Sequence, residues 1–169
     1  FANPDMTPGS DIYVKDANGK LVKKQLTIYN ASLASQAVGP VLNDVEMSCG
    51  GKEFVELGKK MLALKPLSKQ KVDPSDSVLA SYTKSNGEIK PVNTYKSLVQ
   101  AAFNDAYWNV PDKQTIDGYK LMENNFSLFW GLAVQAYEAT LVSDDSRFDR
   151  AQEDPVNENL TEQEQHGLQ

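Results

Sequence analysis

The chain has 169 residues, a length that suits one domain with a hydrophobic core, and an ordinary globular composition. Its formal net charge of −6 argues against a nucleic-acid partner, because nucleic-acid binding needs a basic surface. No apolar run of about 18 residues occurs, so the sequence predicts no membrane span.

The first 35 residues are polar and contain several turn signals. The start, FANP, predicts a processed or truncated end, because it has neither an initiator Met nor a signal pattern. Asn18-Gly19 lies between the apolar runs Ile12-Tyr13-Val14 and Leu21-Val22, which is typical of a β-hairpin. We therefore expect at most a two-stranded ribbon in this part of the chain.

The next stretch, Gln36–Cys49, reads QAVGPVLNDVEMSC. Gly39-Pro40 predicts an ordered loop rather than a helix, because the residue before proline favours extended or turning backbone. Such a loop can hold one amide, Gln36, and one carboxylate, Glu46, over a reaction centre. The alternative is a turn whose glutamate is solvated.

Three later segments have the periodicity of amphipathic helices. The first is Lys52–Leu64. The second begins after a cap at Asn93 or Thr94 and is expected to continue to Tyr107. Residues 109–123 read as a polar connection, and the third helix, over 124–142, has a wide apolar face that predicts a central position.

The C-terminal part begins with an acidic linker at residues 151–159. Thr161 then predicts a helix N-cap, with Glu164 completing a capping box. His166 is the only histidine in the chain, and its polar surroundings predict exposure.

Three segments of the chain resemble the bacterial dihaem cytochrome c peroxidase and MauG superfamily. The distal-pocket pattern of that family is roughly Q-A-x-G-P-x-x-N-x-x-E-M. This chain matches it at Gln36, Ala37, Gly39, Pro40, Asn43, Glu46 and Met47. Residues 123–150 and 160–168 are similar to further family segments, E-x-N-F-S-L-F-x-G-L-A-x-Q-x-Y-E and L-T-x-x-E-x-x-G. Leu26 stands where the short peroxidases have a tryptophan, so the larger MauG-like or rubber-oxygenase-like members are the better match.

The resemblance implies a mainly α fold of cytochrome c-like helices joined by long ordered loops. Residues 1–159 would be the central part of a peroxidase-like domain, and residues 160–169 the truncated start of a second cytochrome c-like domain. It also implies a periplasmic location and two haem c groups in the parent protein. The chain itself has no C-x-x-C-H motif, so flanking polypeptide would have to attach the haems.

In the family, the glutamate acts as acid and base in peroxide cleavage and the glutamine orients the substrate. The resemblance therefore implies that Glu46 and Gln36 are catalytic. Pro40, Met47 and Trp108 are the candidates for contact with the cofactor, although the resemblance fixes no role for Trp108. Trp108 has a simpler alternative, which is to close off the hydrophobic core. No residue of this chain is expected to bind the iron.

The expected partners are a small redox protein that donates electrons, hydrogen peroxide or dioxygen, and the haem-bearing flanking polypeptide. Two other functions fit the sequence. One is a helical binding or scaffold module that retains the fold of the family but binds no haem. The other is an oxygenase of the rubber-oxygenase type.

Overall fold

The structure is a computed structural model that describes residues 12–154, 156 and 160–168. The predicted class is confirmed, because these residues are mainly helical and carry a small N-terminal β-hairpin. The processed start predicted at residues 1–4 and the linker residues 155 and 157–159 lie outside the described residues.

The hairpin consists of β1 (Ile12–Lys15) and β2 (Leu21–Lys24), which pair antiparallel. The carboxylate of Asp16 accepts the backbone N–H groups of Asn18 and Lys20, at 2.9 and 2.8 Å, and so holds the turn between the strands. The ribbon predicted from the Asn-Gly signal is thus confirmed.

Two helices flank the stretch predicted as an ordered loop. Helix α1 (Ser32–Gln36) comes before it, and α2 (Phe54–Leu62) follows. Helix α2 begins where the side chain of Glu56 accepts the backbone N–H of Glu53, at 3.1 Å. The helix predicted over Lys52–Leu64 is confirmed with shorter bounds.

Helix α3 (Tyr95–Ala102) begins as predicted, with Thr94 as its N-cap. Its predicted continuation to Tyr107 is wrong, because Phe103 is extended, with φ −115° and ψ 149°. Asn104 then starts a separate 3-10 turn, since its side-chain oxygen accepts the backbone N–H two residues further on, at 3.0 Å.

The region predicted as a polar connection and one long helix has more elements than expected. It contains the hairpin of β3 (Thr115–Ile116) and β4 (Tyr119–Lys120), followed by α4 (Leu121–Asn124) and α5 (Phe126–Glu138). The helix predicted over 124–142 is confirmed with shorter bounds, because the chain breaks at Asn125 and α5 ends at Glu138. Asn125 causes the break by bonding to other parts of the backbone.

The hydrophobic core lies among the hairpin, the helices α2 and α3 and the region where α4 joins α5. Phe103 and Phe129 contribute an aromatic pair, with ring centroids 4.6 Å apart. The buried core residues are Ile12, Val38, Phe54, Val99, Met122, Phe126, Leu128 and Phe129. Phe126 and Phe129 of α5 are both buried in this core, as the wide apolar face of the predicted helix requires.

The chain divides into two compact units, one ending at Gln135 and one starting at Ala136. The first unit holds both hairpins and α1 to α4. The second holds α6 (Arg147–Glu153) and α7 (Glu162–His166). The predicted start of a further domain at residue 160 stays a prediction.

Both helices of the second unit begin with a capping box. Thr161 and Glu164 form the predicted box of α7, and His166 is exposed as expected. Helix α6 was not predicted, although Ser146 and Asp149 form the same kind of box at its start. It also extends to Glu153, into the stretch predicted as linker.

None of the helices in the described parts of the chain has the length and apolar character needed to cross a bilayer.

Candidate functional site

The segment from the end of α1 to Cys49 carries four of the five residues predicted to act on a substrate or cofactor. Gln36 is the last residue of α1, and the backbone then tightens into a 3-10 turn at Pro40–Leu42. The N–H of Gly39 donates to the carbonyl of Gln36, at 3.1 Å. The carbonyl of Gly39 in turn accepts the N–H of Leu42, at 3.2 Å. The ordered loop predicted from Gly39-Pro40 is therefore present, except that Gln36 belongs to the preceding helix.

Asn43 fixes the backbone on either side of Glu46. Its side-chain oxygen accepts the N–H groups of Val45 and Glu46, at 2.9 and 3.3 Å. Its backbone carbonyl accepts the N–H groups of Met47 and Ser48, at 3.0 and 2.9 Å. One asparagine thus determines the direction in which the next residues leave the loop. No structural role was predicted for Asn43 from the sequence, although asparagine is a common turn residue.

Two side chains of α5 hold the base of this loop. The indole Nε1–H of Trp130 donates to the carbonyl of Ala37, at 3.0 Å. The side-chain oxygen of Gln135 accepts the backbone N–H of Ala34, at 3.2 Å. Val38, the residue after Ala37, is buried in the core. The loop is therefore attached to the body of the first unit by both polar and apolar contacts.

The two residues predicted to be catalytic are both exposed to solvent. Among the described residues, neither the amide of Gln36 nor the carboxylate of Glu46 has a hydrogen-bond partner. The structure places Gln36 at the end of α1 and Glu46 on the loop after it, on either side of the 3-10 turn. It does not enclose them in a cavity made by this chain.

Large apolar side chains are also exposed along this part of the chain. Tyr29, Val45 and Met47 are 88%, 90% and 67% exposed, and Leu33 is 43% exposed. Several exposed apolar residues in one short stretch are typical of a surface that binds something.

A cavity of about 340 Å³ lies between the loop and α2. Val41, Leu42 and Leu57 line it with Met47, together with charged side chains of α2 and of the residues just before it. Its volume is at the low end for small-molecule pockets. Met47 is the one predicted site residue that lines this cavity.

Trp108 lies elsewhere, in a cavity that does not include the loop. It is half-buried, packs against the core, and donates its indole N–H to the carbonyl of Phe103, at 2.9 Å. These contacts agree with the simpler prediction, in which the indole closes off the core. Pro40 is half-buried at the start of the 3-10 turn.

The described residues do not form a complete haem site. A c-type haem needs an axial ligand and a C-x-x-C-H attachment. Cys49 is the only cysteine and His166 the only histidine of the chain, and both are exposed. Within the described ranges, no group of three or more His, Cys, Asp or Glu residues could hold a metal ion. The chain therefore contains no motif for covalent attachment of a haem.

Comparison with protein-family models, with curated proteins and with solved structures found no match to this chain.

Proposed function

We propose that this chain is part of a periplasmic dihaem c-type oxidoreductase of the peroxidase or MauG type. In this proposal the loop from Gln36 to Cys49 lies against a haem that flanking polypeptide holds. The observation that supports it best is the loop itself. Its backbone is fixed by hydrogen bonds, and the carboxylate of Glu46 and the amide of Gln36 have no hydrogen-bond partner within the described residues.

The roles of this chain follow from the chemistry of its two exposed polar groups. The carboxylate of Glu46 takes a proton from one oxygen of hydrogen peroxide and gives it to the other oxygen, which leaves as water. The amide of Gln36 donates a hydrogen bond that orients the peroxide. The haem, when bound, supplies the electrons that reduce the peroxide.

The exposed apolar residues of the loop region fit this arrangement. Tyr29, Leu33, Val45 and Met47 would be costly to leave in water, and a haem or its polypeptide would cover such residues. Met47 then contributes packing against the covering group rather than a bond to the metal.

The proposed electron donor is a small redox protein with an acidic surface. Between Glu56 and Asp73 the chain carries no acidic residue. That stretch contains the lysines Lys59, Lys60, Lys65, Lys69 and Lys71. A local positive charge of this kind on an acidic protein can guide a negatively charged partner.

The test is to express the parent gene under conditions that mature c-type cytochromes. We expect a haem absorption band and turnover of hydrogen peroxide with a reduced cytochrome or dye. Glu46→Gln should slow that turnover by about 100-fold or more, because it removes the acid–base group and keeps the size of the side chain.

Asp44→Asn is the matched control. Asp44 lies on the same loop, is exposed, and undergoes the same change from carboxylate to amide. The proposal expects its turnover to stay within about twofold of the unchanged protein, since exposed groups away from the reacting atoms contribute little. Equal effects of the two substitutions, or no effect of Glu46→Gln, would remove Glu46 from the mechanism.

A second function is favoured by the exposure of Gln36 and Glu46 and by the missing haem ligands. It is a haem-free binding or scaffold module. A colourless, folded product of the full gene that does not consume peroxide would support this function and contradict the first.

A further inference from the structure

A second cavity, of about 260 Å³, opens beside α4 in the first unit. Side chains of α2, α3 and α4 line it, together with the segment Trp108–Asp112. None of its lining residues belongs to the loop described above. The cavity combines an apolar wall with several lysines, a composition that neither the core nor the proposed peroxidase function requires.

The apolar wall is built from buried and half-buried side chains. Leu121 is completely buried, Met122 is nearly so, and Leu62 adds a third aliphatic group. Trp108 already uses its indole N–H on the carbonyl of Phe103, so it can offer the cavity only its apolar ring surface.

Three of the charged groups at the cavity already have partners, although Glu123 keeps its negative charge. Nζ of Lys120 lies 3.0 Å from Oδ1 of Asp112 in an ion pair. The carboxylate of Glu123 accepts the backbone N–H of Lys120, at 2.8 Å, and so caps the start of α4. Lys120, Asp112 and Glu123 therefore stabilise the wall of the cavity.

Two lysines remain without a carboxylate partner among the described residues, Lys59 on α2 and Lys96 on α3. Nζ of Lys59 lies 5.7 Å from the ring centroid of Tyr119, an attraction that leaves its charge uncompensated. The hydrogen bond and the charge of Lys120 lower the pKa of Asp112, and the charge of Lys96 adds to that effect. Lys96 therefore acts electrostatically on this cavity.

We propose that this cavity binds a small aromatic carboxylate. The ring would lie against Trp108 and the aliphatic wall, and the carboxylate would face Lys59 and Lys96. The volume is slightly below the range for drug-sized ligands, so a single-ring molecule is the class that fits.

The experiment uses benzoate as the probe, with benzamide as its uncharged counterpart and acetate as an anion without a ring. Titration of the chain by calorimetry should show benzoate binding at least about tenfold tighter than either control, since each control loses one of the two contacts. In NMR spectra, the indole N–H signal of Trp108 should shift with benzoate, whereas that of Trp130 should not.

Lys96→Gln should weaken benzoate binding by about fivefold, the effect of one partly exposed charge pair. Lys69→Gln is the control, because Lys69 is an exposed lysine that does not line the cavity. The proposal would be overturned if benzoate did not bind at millimolar concentration, or if it bound less than about tenfold tighter than benzamide. It would also be overturned if Lys96→Gln and Lys69→Gln weakened benzoate binding equally.

Discussion

Asn125 joins three separate parts of the chain through one completely buried amide. Its side-chain oxygen accepts the backbone N–H of Tyr13, at 2.9 Å. Its Nδ2 donates to the carbonyls of Tyr13 and Tyr107, at 2.7 and 2.8 Å. One side chain thus ties the first strand and the turn after α3 to the break between α4 and α5.

Asn125→Ala should lower the free energy of unfolding by about 3 kcal/mol or more. The substitution removes three hydrogen bonds at a buried position, and each buried polar group that loses its partner costs about 1–3 kcal/mol. Urea unfolding followed by tryptophan fluorescence measures the change.

Asn109→Ala is the control for this prediction, because Asn109 is exposed and its side chain makes no hydrogen bond with the described residues. It should change the free energy of unfolding by less than about 0.5 kcal/mol. If Asn125→Ala also changed the free energy of unfolding by less than about 0.5 kcal/mol, the role assigned to the Asn125 amide would be contradicted.

At the scale of elements, Gly58 allows α2 to approach the helices α4 and α5. A Cβ atom at this position would lie 2.5 Å from Cβ of Phe126 and 2.9 Å from the carbonyl oxygen of Glu123. The second contact is with backbone, so it cannot be relieved by turning a side chain.

Gly58→Ala should therefore destabilise the protein by about 1–2 kcal/mol. Alanine in a helix gains about 1 kcal/mol over glycine. Overpacking a dense core costs about 1–3 kcal/mol. We expect a cost near the upper end of that range at Gly58, because the carbonyl of Glu123 cannot move out of the way. Thermal unfolding by circular dichroism would report the difference.

Gly50→Ala serves as the comparison. A Cβ atom there would meet only the side-chain oxygen of Asp44, at 3.7 Å, which is an ordinary contact. We expect its melting temperature to be unchanged or slightly higher. A similar loss of stability at both glycines would show that the clash at Gly58 is not the cause.

The helices of this chain could be predicted from periodicity, but their ends could not. The apolar spacing continues past Ala102 and past Glu138, so the sequence alone predicts longer helices. In the structure, Asn104 starts a separate turn after α3, and Asn125 separates α4 from α5 by bonding to distant backbone groups. The hydrogen bonds of Asn125 to Tyr13 span 112 positions, and no local pattern encodes such a contact.

The candidate site, like the helices, could be predicted only in part from the sequence. Gly39-Pro40 predicted an ordered loop, and the structure has one, although Gly39 adopts the α region (φ −69°, ψ −62°) that a residue before proline usually avoids. The bond from Trp130 to Ala37 spans 93 positions and could not be foreseen. The exposure of Glu46 also depends on what covers the loop, which local sequence does not determine.

At the scale of the whole molecule, several exposed carboxylates have pKa values below their ordinary range. Asp73 owes this mainly to the hydroxyl of Ser75, and Asp76 to the backbone N–H groups of Leu79 and Val78. The full set is Asp73, Asp76, Glu88, Asp112, Asp149 and Glu164. The first four belong to the first unit and the last two to the second.

These lowered pKa values predict that acid destabilises both units. A carboxyl group whose pKa is lower in the folded state stabilises the protein above its unfolded pKa. That stability is lost as pH falls through the folded value. The ordinary values are 3.8 for Asp and 4.5 for Glu, so the loss should begin near pH 4.5 and continue below pH 3.8.

Two spectroscopic signals can separate the units in this acid titration. Trp108 and Trp130 both lie before Gln135, so tryptophan fluorescence reports on the first unit, whereas far-ultraviolet circular dichroism reports on all helices. Melting temperatures from both signals should fall between about pH 5 and pH 3. High salt should reduce the part that comes from the lysine pairs of Glu88 and Asp112, because exposed ion pairs are screened. A fluorescence melting temperature that stayed constant over this range would contradict the assignment for the first unit, since four of the six carboxylates belong to it.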